Sequence, residues 1–138
     1  MIFSYLSFIG RVLLGLPFAM SGLSKLATYG PTTAIITAAG LPFSPLAFVV
    51  AVAVELGGGL LLILGYRVRP VAFALAVFSV VTAVSFHSQF SDQNQMFHFL
   101  KDVMIAGGLL QIVAFGPGAI SIEQWRRTTA TASSAATA

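Results

Sequence analysis

The 138-residue chain is 57% hydrophobic and 8% charged, carries a formal charge of +3 and contains no cysteine. Soluble domains carry about 25% charged residues, so this composition, with a mean hydropathy of +0.94, defines an integral membrane protein. The lack of cysteine excludes disulfides, thiolate metal sites and thiol redox chemistry by the chain itself. Its few basic residues stand mostly beside span ends with no interleaved aromatic patch, which sets topology and excludes nucleic acid as a partner.

The first apolar segment runs from about Phe3 to Ala27. It has no basic stretch before it, holds Arg11 inside it and lacks a small-residue cleavage site, so a retained span is expected and not a signal peptide. The link that follows contains Pro31 and ends at Gly40, a proline-first, glycine-last pattern that predicts a short interfacial helix. Pro42 and Pro45 reset the chain before a second span from about Leu46 to Gly65. Tyr66 to Pro70 allows only a tight antiparallel turn into a third span, from about Pro70 to His87. A polar loop from Ser88 to Gln95 precedes the fourth span, about Phe97 to Phe115. The expected fold is all-α: an integral membrane antiparallel four-helix bundle over residues 1–127. Residues 128–138 form a low-complexity tail expected to be disordered. Arg67, Arg69, Arg126 and Arg127 gather on one side, which predicts that both termini are cytoplasmic.

Charge inside hydrocarbon is expensive and usually faces a bundle interior, so the buried-span ions define the candidate site. Helical spacing puts Arg11, Gly15, Phe18, Gly22 and Lys25 on one face of the first span. Glu55 shares a face with Ala51, Gly58 and Gly59. Depth counted at about 1.5 Å per residue brings Arg11 and Glu55 to the same middle level, where they are expected to form an ion pair that fixes helix register or polarises a ligand. Lys25, His87, His98, Lys101 and Asp102 gather in the external half, with Glu55 as the floor of a ligand site. Counting Arg11, Lys25 and Lys101 against Glu55 and Asp102 leaves one net positive charge, which favours an anion or a reducible carbonyl over a cation. The two histidines read as hydrogen-bonded interfacial residues, and no metal site is expected. Trp125 beside Arg126 reads as an interfacial anchor.

The order of these residues resembles the DoxX family of small four-span membrane proteins. Gly10-Arg11 through Gly15, Phe18, Ser21-Gly22 and Lys25-Leu26 match its first span. Ala39-Gly40-Leu41-Pro42, Glu55 with Gly57-Gly58-Gly59, and Gly65 through Arg69 match its middle. His87, Lys101, Gly107-Gly108, Gly116-Pro117-Gly118 and Ser121 complete the order. The resemblance spans Gly10 to Ile122, and Asp102 stands where it leads one to expect asparagine. It implies a bacterial inner-membrane bundle and a role as an oxidoreductase subunit, since related subunits belong to thiosulfate:quinone oxidoreductases and to membrane oxidative-stress complexes.

The leading expectation is therefore a quinone-linked subunit that binds a quinone or a sulfur oxyanion. Lys25, His98 and Lys101 supply donors, Glu55 and His87 line the site, and His98 and Asp102 exchange protons as the catalytic pair. No motif for flavin, nicotinamide or an iron–sulfur cluster is present, so a soluble or membrane redox partner would carry the electrons. A non-enzymatic scaffold or assembly factor, whose buried charges hold the helices in order, is the alternative. A small-molecule carrier is third, because no inverted repeat is visible.

Overall fold

The computed structural model describes residues 2–136, and over these the protein is all-α, with no strand. Four helical stretches are long and apolar enough to cross a membrane: Ile2–Ala27, Ser44–Leu64, Val68–Phe86 and Gln93–Phe115. The first, third and fourth are α1, α5 and α6. The second is one span in three parts, α3 (Ser44–Val52), a π-helical segment (Ala53–Gly57) and α4 (Gly58–Leu64). The short helix expected in the first link is α2, Tyr29–Ala38. Side-chain hydroxyls of Thr33 and Thr37 donate back to carbonyls one turn earlier, which suits a helix surrounded by few neighbours.

Turn chemistry fixes the antiparallel order. Gly65 adopts φ +74°, and the Gly65 and Tyr66 amides donate to the Leu62 and Leu61 carbonyls, so α4 ends in a glycine cap and the chain reverses at once into α5. At the other end Asp92 caps α6, its side chain accepting from the Asn94 amide at 2.8 Å.

Packing is uneven. α1 lies along the second span, where contact requires glycine: a Cβ placed on Gly59 would stand 2.6 Å from the Ala19 nitrogen, and one on Gly22 would stand 2.6 Å from the Leu56 nitrogen. α5 packs on α4 and runs along almost all of α6, while α6 barely touches α1. The tightest core joins α4, α5 and α6 through Leu62, Val68, Ala72, Leu75, Ala76, Ala106 and Leu109. Elsewhere the spans present apolar side chains outward, as contact with lipid tails demands.

α7 runs as helix from Ile122 to Ala136 and takes in residues 128–136 of the low-complexity tail. Alanine has the highest helix propensity, and the hydroxyls of Thr128, Thr129 and Thr131 donate to carbonyls three or four residues back, so this low-complexity stretch satisfies its own backbone. Residues 137 and 138 of the expected tail lie outside the described residues.

Candidate functional site

The Arg11 to Glu55 pair is not formed, because the two side chains have different partners. Arg11, 1% exposed, donates from Nη1 to the Leu62 carbonyl at 3.0 Å and the Ile63 carbonyl at 3.1 Å, and from Nη2 to the Ile120 carbonyl. Two of these carbonyls belong to the last turn of α4, where Leu62 also accepts from the Gly65 amide, and one belongs to the segment after α6. The guanidinium fork therefore ties α1, α4 and the 116–121 segment together. Its Phe8 neighbour lies 5.7 Å below the charge.

Glu55 pairs instead with Lys25. The ammonium reaches Glu55 Oε2 at 2.7 Å and Oε1 at 3.0 Å, and donates to Ser21 Oγ at 2.9 Å. The Ser21 hydroxyl in turn donates to Glu55 Oε1 at 3.3 Å. Antiparallel register explains the exchange of partners. Gly59 sits against Gly15 and Ala19 while Leu56 sits against Gly22, so Glu55 is level with Ser21, about 15 Å along α1 from Arg11. Glu55 also lies in the π-helical segment, where the widened turn changes the direction of the following side chains, a device common at functional positions.

Above this pair is a cavity of about 540 Å³, walled by α2, α3 and α5. Ile35, Ile36, Leu41, Ala51, Phe78 and Phe86 make it mainly apolar, and Lys25, Glu55, Thr32, Thr82 and His87 give it polar points. Val50 and Val81, 49% and 51% exposed within their spans, edge its mouth, so the opening between α3 and α5 faces the lipid side.

Of the expected site residues, Lys25, Glu55 and His87 meet at this cavity, whereas His98, Lys101 and Asp102 do not line it. His98 stacks on His87 with ring centroids 5.0 Å apart. His87 Nδ1 lies 2.8 Å from Gln95 Oε1. Its Nε2 faces Asp102 Oδ2 at 4.0 Å, an oxygen that is buried without a hydrogen-bond partner. His98 and Asp102 thus support His87 from behind and stand outside the cavity wall. Lys101 is exposed and takes part in no hydrogen bond or ion pair among the described residues. Adjacent residues on a helix diverge by about 100°, so the turn that brings Asp102 inward carries Lys101 outward.

The expected excess of positive charge therefore disappears: with Arg11 and Lys101 elsewhere, Lys25 balances Glu55 at the cavity. Thr32 and Thr82 in the cavity wall, and Ser21 and Gln95 beside the expected residues, were not expected from sequence. Ser21 was legible in principle, standing one turn before Lys25, whereas Gln95 reaches His87 through the fold of the polar loop, for which sequence spacing gives no sign.

These features define a membrane four-helix bundle with a lipid-facing cavity over a buried lysine–glutamate pair. The chain belongs to the DoxX family, whose profile matches residues 6–88. It is 34% identical over 116 residues to "Inner membrane protein YqjF" of Escherichia coli (strain K12), covering 84% of this chain and 88% of that protein. It is also 32% identical over 121 residues to "Inner membrane protein YphA" of the same organism, covering 84% and 86%. No solved structure matches the chain.

Proposed function

We propose that the protein is the membrane subunit of a quinone-linked oxidoreductase and that it binds the quinone in the cavity above Lys25 and Glu55. The observation that carries this reading is the pairing of apolar walls and a lipid-facing mouth with a closed, charge-balanced ion pair at the floor. A quinone presents an apolar tail to such walls and ring carbonyls to hydroxyl and ammonium donors. A small sulfur oxyanion would have to exchange water for apolar contacts beside a carboxylate, which is unfavourable. Reduction of a quinone takes an electron pair and a proton at each carbonyl oxygen. His87 is the wall residue suited to passing a proton, with Asp102 behind it, and a redox partner would supply the electrons. The four arginines at the end that carries both termini support a cytoplasmic position for that end, which would set the cavity on the external side.

The test is binding of a short-chain ubiquinone and a menaquinone to the full chain in lipid nanodiscs, with thiosulfate as competitor. Quinone should bind, Val50→Trp at the mouth and Lys25→Met at the floor should each weaken it by about tenfold, and thiosulfate should not displace it. Thiosulfate binding in place of quinone would transfer the site to the oxyanion. Binding of neither, with a protein that copurifies reproducibly, would establish the scaffold reading. That second reading has one observation in its favour: Lys25 already spends its donors on Glu55 and Ser21.

A further inference from the structure

Six outward positions of α6 follow a strict alternation of three and four residues: Phe97, Leu100, Met104, Gly107, Gln111 and Ala114. All six are exposed, Phe97 by 51%, Leu100 by 46% and Met104 by 73%, on the face opposite the Ala106 and Leu109 that pack in the core. A 3-4 repeat on a single helix is the seam geometry of two helices wound about each other. Exposed faces of α1 and α5 are also apolar, for example Leu13 and Met20 or Val77 and Val84, and lipid tails cover them at no cost. The α6 face differs by containing Gln111, an amide exposed within a span and without a hydrogen-bond partner among the described residues.

From this seam we infer that α6 is a homodimer interface, closed by reciprocal hydrogen bonds between the Gln111 side chains of two copies. A carboxamide both donates and accepts, so it is complementary to itself. Two copies inserted in one direction and related by a twofold axis along the membrane normal bring the same residue together at the same depth. Gly107 and Ala114 stand one turn to either side of Gln111, and a Cβ on Gly107 would meet nothing within 4 Å, so the helices can approach closely where the amides meet. A single polar residue at an a-type seam position fixes register and oligomer number in water-soluble coiled coils. Lys101 follows Leu100 and lies off the seam, so the twofold axis does not oppose the two ammonium groups. The inference is independent of what the cavity binds.

The cysteine-free chain makes the test direct. Met104→Cys and Ala114→Cys, each alone, should give a disulfide-linked dimer on oxidation in native membranes, while Val80→Cys on the exposed face of α5 should not. Adding Gln111→Leu to Met104→Cys should lower the dimer yield by about tenfold, as loss of an interhelical hydrogen-bond pair predicts. Gln111→Asn, which keeps the amide, should restore part of it. Equal crosslinking at Val80 and Met104, no crosslinking at either seam position, or a yield unmoved by Gln111→Leu would each overturn the interface.

Discussion

The two ends of the bundle bury charge in opposite ways. Near the termini, Arg11 is enclosed by backbone carbonyls from α4 and the 116–121 segment, with no acid beside it. At the far end, Lys25 and Glu55 satisfy each other and Ser21, with a cavity directly above them. A guanidinium held by three main-chain carbonyls cannot be borrowed by a ligand without opening the fold, so that end is a joint. An ion pair that lines a void can reorganise around a ligand, so the other end is a site. The same α1 face carries both, about four turns apart, with the Gly15 and Gly22 contacts between them.

The largest effect should come from breaking the joint. Arg11→Met removes the donor from the Ile63 and Ile120 carbonyls and leaves Leu62 with the Gly65 amide alone, so at about 1–3 kcal/mol for each unsatisfied buried group the loss should be at least about 2 kcal/mol. Denaturant unfolding in detergent measures it. Arg11→Lys should recover only part, since an ammonium lacks the fork that spans carbonyls on two segments. Glu55→Gln combined with Arg11→Met should be additive to within about 0.5 kcal/mol, because the groups share no partner. Coupling beyond that would bring back the Arg11 to Glu55 pair that the geometry replaces.

The second effect lies at the far end. Lys25→Met and Glu55→Gln should each destabilise the protein, and the double variant should be milder than their sum by about 0.5–3 kcal/mol. The pair is only partly shielded, with the lysine side chain 26% exposed and the glutamate 7%, so the single losses should fall below the roughly 3–5 kcal/mol of a fully buried broken pair. A double-mutant cycle by thermal unfolding decides it, and additivity would mean the contact contributes nothing.

The comparison also marks how far sequence could be read. Span length and hydropathy carried the four helices, and proline and glycine placement carried the short α2, because those features are local. Periodicity correctly put Arg11 and Lys25 on one face of α1. Partner choice was not legible, because depth counted from approximate span ends cannot fix which residue of one helix stands opposite which residue of another. The glycine contacts decide it: Gly59 against Ala19 and Gly22 against Leu56 set Glu55 level with Ser21 and Arg11 level with the Leu62 and Ile63 carbonyls at the end of α4. On α6 the external-half grouping does not survive as one site, because Lys101 and Asp102 diverge around the helix and only Asp102 turns inward.

The smallest predicted effect follows from that divergence. Lys101 is exposed on α6 and outside the cavity, so its long side chain carries the charge toward the membrane surface and contributes packing through its methylenes alone. Lys101→Met should change stability by no more than about 0.5 kcal/mol. It should also leave quinone affinity in nanodiscs within error of wild type, where Lys25→Met reduces it. The two lysines thus form a matched test of one charge lining the cavity and one beside it. If Lys101→Met weakened binding as much as Lys25→Met, the ligand would have to lie along α6 next to Asp102 and His98, and the cavity under α2 would lose its claim to be the site.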